Sequence, residues 1–238
     1  MTTPALLGIS HGTASPEGQA AVRALVDAVA ERLPGTTVRL GHVDVQQPDV
    51  AASIDALPAG ESIVLVPLLL SAGYHVHVDL REATAAHPHV QISAALGPDG
   101  RLADVLAARL AEVGPTDDDA IVLAVAGSSD ERAVVDCRRM GDLLADRLGR
   151  PVTVGFLSAA EPRLADAVAQ ARSDAPGRRV VVSSYLLAPG YFQDLAAAGG
   201  GDVLTRPLLD ADEPAPALVQ VVVDRYLACL DAPVASTL

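Results

Sequence analysis

The stretch Ile63-Val64-Leu65-Val66-Pro67-Leu68-Leu69-Leu70-Ser71-Ala72-Gly73-Tyr74 returns later in the chain as Val180-Val181-Val182-Ser183-Ser184-Tyr185-Leu186-Leu187-Ala188-Pro189-Gly190-Tyr191. Each is an apolar run of strand length that ends in small residues and a Gly-Tyr pair. A run bounded in this way reads as a strand buried on both faces, the kind found in parallel sheets. Its return after about 115 residues marks an internal duplication of a whole folding unit, far longer than a solenoid repeat.

The flanking segments repeat in the same order. Leu6-Leu7-Gly8-Ile9-Ser10-His11-Gly12-Thr13 has its counterpart in Ile121-Val122-Leu123-Ala124-Val125-Ala126-Gly127-Ser128, and long helical patterns follow over 18–32 and 131–148. Next come Val38-Arg39-Leu40-Gly41-His42-Val43-Asp44 and Val152-Thr153-Val154-Gly155-Phe156-Leu157-Ser158, leading to Gln47-Pro48 and Glu161-Pro162. Proline there suits the first turn of a helix, where its missing N–H is not needed. A fourth strand is expected over 90–95 and 202–206, and a last helix over 101–112 and 215–230. Each half reads β-α-β-α-β-α-β-α, which predicts an α/β protein of two doubly wound parallel-sheet halves. The polar segment 112–119 places the boundary near 115, giving halves 1–115 and 116–238.

Half of the 238 residues are hydrophobic but only 3% are aromatic, so aliphatic side chains must build the core. The net charge of −13 argues against nucleic acid and anionic membranes as partners. The opening Met-Thr-Thr-Pro-Ala-Leu-Leu lacks the basic and apolar regions of a signal peptide, and no apolar run has membrane length. A cytoplasmic protein is expected. Cys137 and Cys229 form no metal-binding spacing and read as small buried residues.

Ligands of doubly wound sheets sit at the carboxyl ends of the strands. In the first half those ends carry His11, Asp44 and His75; the matching positions of the second half are Ala126, Ser158 and Phe192. Two imidazoles and a carboxylate suit a first-row divalent ion, and neutral imidazole can also accept a proton near neutral pH. One working site is therefore expected, built mainly on the first half, with the second half as its wall. Gly12 and Gly73 would let backbone approach a flat ligand. His77 is read as a solvated helix-start residue or an auxiliary ligand, and Asp79 as orienting His75 or favouring a helix N-terminus. His42, paired with Phe156, reads as a core residue, and His87 and His89 as loop residues. Arg23, Arg39 and Arg81 are candidates for pairing with substrate carboxylates. The run at 196–201 reads as a flexible loop beside the second half's strand ends, a candidate lid.

Three segments carry a resemblance. Ser10-His11-Gly12-Thr13, Val43-Asp44 with Gln47-Pro48, and Pro67-Leu68-Leu69-Leu70-Ser71-Ala72-Gly73-Tyr74-His75-Val76-His77-Val78-Asp79 resemble the class II sirohydrochlorin chelatases. The third is the most specific, with His75 and, four residues on, Asp79 after an apolar strand and glycine. The likeness covers essentially the whole chain, in the two-repeat form of the longer bacterial members. It implies ATP-independent insertion of Co2+ or Fe2+ into sirohydrochlorin, for sirohaem or cobalamin synthesis, with the metal as substrate and no permanently bound cofactor. His11 and His75 would then bind the metal over the macrocycle and take up pyrrole protons, assisted by Asp44. Gly12, Gly73 and Tyr74 would lie against the substrate. Relatives commonly carry Glu where Asp44 stands, and often a second Glu where Gln47 stands. Single-repeat relatives pair as homodimers, so this chain would act as a monomer. Two other readings use the same fold: a metal or tetrapyrrole carrier without catalysis, and a phosphate-ligand binder. The second would want a glycine-rich phosphate loop, which the chain lacks.

Overall fold

The protein is described by a computed structural model over residues 3–73 and 78–231. Four parallel strands form the first sheet: β1 (Ala5–Ser10), β2 (Val38–His42), β3 (Ile63–Pro67) and β4 (Val90–Ile92), in the order β2-β1-β3-β4. The second repeats it with β5 (Ala120–Val125), β6 (Val152–Phe156), β7 (Val180–Tyr185) and β8 (Val203–Leu204), ordered β6-β5-β7-β8. The pairing register repeats too, Leu6 opposite Val38 and Val64 just as Ile121 is opposite Val152 and Val181. The fold is α/β with two similar parallel halves, as the duplicated sequence predicts. The fourth strands are shorter than expected.

Among the described residues, eight helices accompany these strands: α1 (Pro16–Arg32), α2 (Val50–Asp55), α3 (Leu80–Thr84), α4 (Gly100–Glu112), α5 (Glu131–Leu148), α6 (Leu164–Asp174), α7 (Tyr191–Ala197) and α8 (Pro216–Asp231). Their starts are written locally. Ser15, Asp49, Asp99 and Asp130 cap α1, α2, α4 and α5, each side chain accepting a backbone N–H of the first turn. One expectation is corrected here. Pro48 and Pro162 stand just before the N-caps Asp49 and Arg163, outside the helices. Their carbonyls instead accept the backbone N–H of His42 (3.0 Å) and Phe156 (2.9 Å), tying each helix entry to the strand before it.

Strand alternation sorts the apolar side chains between layers. Ala5, Leu7 and Ile9 of β1, with Ile63 and Leu65 of β3, meet α2 and α3 in one outer cluster. Val122 and Ala124 of β5, with Val180 and Val182 of β7, meet α6 and α7 in the other. The opposite faces join in a single central cluster that holds Leu6, Val64 and Val66 from the first sheet and Ile121, Leu123 and Val181 from the second.

The central layer holds an exchange that the repeat does not announce. α4 follows the first sheet in sequence, yet packs on β7 and α5 of the second. α8, which follows the second sheet, packs on β3 and α1 of the first. Polar contacts fix the exchange: the Tyr226 hydroxyl donates to the Pro4 carbonyl (2.6 Å), Arg225 donates to the carbonyls of Ala95 (2.8 Å) and Leu96 (3.0 Å), and Arg101 pairs with Asp224. A chain position near 115 falls between the two sheets, while each sheet's central face is covered jointly by its own half's first helix and the other half's last. No helix among the described residues is long and apolar enough to cross a membrane.

Candidate functional site

The chain leaves β1 through His11-Gly12-Thr13, a turn held from several sides. The backbone N–H of Asp44 donates to the His11 carbonyl (3.0 Å), continuing the β1–β2 ladder one step past the strands. Gln46 Oε1 accepts the Thr13 N–H (2.9 Å), and Gln19 Nε2 donates to the Thr13 carbonyl (2.8 Å). Gly12 sits at φ +93°, and any Cβ there would collide with the Asp44 carbonyl oxygen, so the tight pairing requires glycine. The second half builds the same junction. Ser158 N–H donates to the Ala126 carbonyl (2.9 Å), and Gly127, at φ +88°, makes room for the Ser158 carbonyl.

The segment after Asp44 turns back on itself. The Gln46 N–H donates to the Asp44 carbonyl (2.6 Å), closing a three-residue turn around Val45 at φ +63°. Asp44 Oδ1 accepts the Val45 N–H at 2.7 Å. The carboxylate predicted to face substrate thus bonds the turn, and Asp44 is exposed and outside the cavity lining. A β-branched side chain in the left-handed region is a conformational outlier, costing about 1–3 kcal/mol and persisting only where neighbours enforce it. Its counterpart is Ala159 at φ +55°, with Ala160 N–H donating to the Ser158 carbonyl (2.7 Å).

A cavity of about 450 Å3 opens where the strand ends of both halves meet. His11, Gly12, Val45, Leu68 and Gly73 line it from the first half; Val125, Ala126, Tyr185, Tyr191 and Phe192 line it from the second. Its walls are largely apolar, and no Asp, Glu, Lys or Arg is among the described residues lining it. His11 is half-buried there. Phe192 is half-buried beside it and meets the 71% exposed Tyr191 edge to face, ring centres 5.7 Å apart. Cys137 lines the cavity as a protonated thiol, since burial and the nearby Asp136 push its pKa up to about 12.

The second half also grips the segment that leads to His75. The buried Tyr185 hydroxyl donates to the Leu70 carbonyl (2.9 Å), and Asp136 Oδ2 accepts the Ala72 N–H (2.9 Å). A Cβ on Gly73 would press on Ala133 (3.1 Å) and Ser128 (3.2 Å). Burial raises the Tyr185 pKa well above the usual phenol value, so the hydroxyl stays a neutral donor. Tyr74, His75 and His77 lie outside the described residues. Among the described residues no three His, Cys, Asp or Glu side chains gather closely enough to hold a metal ion.

Other predicted residues find definite places. His42 is 3% exposed, and its Nδ1 meets Ser10 Oγ at 2.8 Å. Burial lowers its pKa, and repulsion from Arg23 adds to the effect, so the core position occupied by Phe156 in the other half is here a neutral imidazole. Neither Arg23, Arg39 nor Arg81 lines the cavity. Asp79 stands at the N-cap position of α3. The supposed lid at 196–201 is no open loop: Ala196 is buried in α7, and Cβ atoms on Gly199 and Gly201 would collide with Leu164 and Val182. Val45 and Tyr191 were not singled out by the sequence reading. The signal for Val45 is an apolar residue among turn residues; for Tyr191 it is the repeated Gly-Tyr pair, in which Tyr191 matches Tyr74.

The fold matches known proteins along almost its whole length. SirB from Bacillus subtilis with Fe3+ aligns at a TM-score of 0.72 and 22% identity, over 93% of each chain. The sirohydrochlorin chelatase SirB from Bacillus subtilis subspecies spizizenii, in complex with cobalt, aligns at 0.73 and 18% identity, over 97% of this chain and 96% of that one. DR2241 from Deinococcus radiodurans, a multi-domain protein with structural similarity to chelatases, aligns at 0.64 and 19% identity, over 95% of this chain and 55% of its own. No curated protein matches in sequence. The CbiX family model matches residues 5–113 and again 120–198, one match on each copy of the duplicated unit, and the chain belongs to the CbiX family.

Proposed function

We propose that this protein inserts Co2+ or Fe2+ into sirohydrochlorin without ATP, as a monomer, in the synthesis of sirohaem or a cobalamin precursor. The observation that carries the reading is the cavity itself: apolar walls from both halves, with His11 set into them at a strand end. Membership of the CbiX family and the likeness to the two SirB structures, one with cobalt and one with Fe3+, support it.

The chemistry needs a metal ligand and a base. As the ion enters the ring, two pyrrole N–H protons leave, so the ring becomes a dianion that holds the M2+. A neutral imidazole can do either task near pH 7. We assign the first to His11 and His75 together, and the uptake of the two protons to these two imidazoles, one each, as the metal leaves them. Apolar walls exclude water and sharpen the attraction between the cation and the deprotonating nitrogens. Asp44 acts on this reading by holding the turn beside His11. The carrier alternative rests on Asp44 standing where relatives commonly carry Glu, with its carboxylate exposed and outside the cavity lining.

An anaerobic absorbance assay with sirohydrochlorin and Co2+ or Fe2+ separates the readings. Conversion above the spontaneous rate, lost in His11→Ala, is the expected result. Binding of tetrapyrrole or metal without acceleration would make the protein a carrier, and binding of neither would remove the assignment of this cavity.

A further inference from the structure

Five large apolar side chains are exposed among the described residues, and two of them line the same cavity from opposite halves: Val45 at 58% and Tyr191 at 71%. Apolar side chains exposed singly call for no explanation, but convergence on one recess marks a contact surface.

Val45 is placed there against its own conformational preference. At φ +63° a glycine would make the turn without strain, and the exposed isopropyl group adds nothing to either core. The second half makes the same turn around Ala159, and that residue does not line the cavity. Where the turn faces no cavity its residue is as small as an L side chain permits; where it faces the cavity it carries a branched one. Tyr191 lines the same cavity as the first residue of α7, its ring at a steep angle to Phe192 and outside the central and outer cores.

We propose that Val45 and Tyr191 are substrate-positioning residues, which contact the apolar ring of a flat tetrapyrrole from opposite halves and set its seat over His11. The inference rests on the chelatase reading above. An aromatic ring stacks on a conjugated macrocycle, and a branched aliphatic packs against it; neither recognises carboxylates. With no charged residue among the described lining, the carboxylates of the substrate are directed to the solvent-facing mouth. The pair therefore recognises the ring and leaves the metal to the imidazoles.

The test is an anaerobic absorbance titration with sirohydrochlorin, together with steady-state insertion of Co2+, for wild type, Val45→Gly, Tyr191→Ala and Tyr191→Phe. Val45→Gly and Tyr191→Ala are each expected to raise the Kd and KM for the tetrapyrrole about tenfold, the scale of one lost apolar contact in a pocket. The fall in kcat should be smaller and the KM for Co2+ unchanged. Tyr191→Phe should restore tetrapyrrole affinity, and Val45→Gly should melt no lower than wild type because the strain is gone. Unchanged Kd and KM in both Val45→Gly and Tyr191→Ala would overturn the proposal, as would weakened binding that appears only alongside a lowered melting temperature in both. Wild type that binds no tetrapyrrole would instead refute the chelatase reading itself.

Discussion

The two halves share one backbone plan and differ at the positions where that plan ends. Where the first half has His11, Asp44 and His42, the second has Ala126, Ser158 and Phe156, in the same register and with the same ladder bonds. Both keep the glycine that admits the neighbouring carbonyl, and both keep the left-handed turn beside it. The scaffold is thus preserved even where the titratable side chains are absent. In the second half the side chains have been spent on packing: Phe156 fills the core, and Tyr185 and Asp136 hold the first half's 70–72 segment. One copy of the fold carries the imidazoles and the carboxylate to which the proposed function assigns the chemistry, and the other holds the segment beside them.

The largest effect expected from breaking this asymmetry is at His11. His11→Ala should lower metal insertion by 100-fold or more, the low end for losing a positioned acid-base group, being about 10²–10⁴. Its melting temperature should match wild type, because Ala126 shows that the junction folds without an imidazole. A large loss of stability in that variant would show the histidine to be structural.

Tyr185→Phe comes next, since it removes a single one of the bonds between the halves. It should cost about 1 kcal/mol in chemical denaturation, the scale of one lost hydrogen bond to a half-buried carbonyl. Hydrogen exchange should quicken in the 70–73 segment and not in β5.

A smaller effect separates the core residues His42 and Phe156. The folded pKa of His42 is depressed, so below the unfolded value of about 6.5 the unfolded chain binds the proton more readily. Stability is therefore full above that pH and falls as pH drops through the window beneath it. The double variant Ser10→Val/His42→Phe copies the second half's pair Val125 and Phe156, and urea midpoints measured between pH 7.5 and 5.5 should lose this His42 component. An unaltered slope would place the acid sensitivity elsewhere.

The smallest change is Ala159→Gly. It relieves the left-handed turn in the half where nothing depends on the side chain, and should alter stability by less than about 1 kcal/mol and leave tetrapyrrole affinity as it was. Set beside Val45→Gly, it distinguishes the turn from the side chain the turn presents.

The duplication, the strands and the positions of His11 and Asp44 at their ends were legible because they are one-dimensional patterns: apolar runs, small-residue turns and their return. His42 was readable as a core residue because its counterpart is Phe156. The aim of the Asp44 carboxylate was not, since proximity to a strand end says nothing of which neighbouring N–H a short side chain will meet. Val45 was invisible for a related reason: strain belongs to φ and ψ, and a valine in a loop reads like any other. The helix exchange escaped because the periodicity of α4 and α8 specifies an apolar face without specifying the sheet that receives it. Likewise, the run at 196–201 has a linker's composition but is packed against Leu164 and Val182.

That exchange bears on how the chain is made. As it leaves the ribosome, the first sheet is complete once β4 has emerged, but α8, which covers its central face beside α1, follows only after the whole second sheet. At ordinary elongation rates the interval is on the order of ten seconds, during which Val64 and Val66 must be sheltered by α4, by non-native collapse or by a chaperone. A ribosome stalled before α8 would leave part of that apolar sheet face without its native cover.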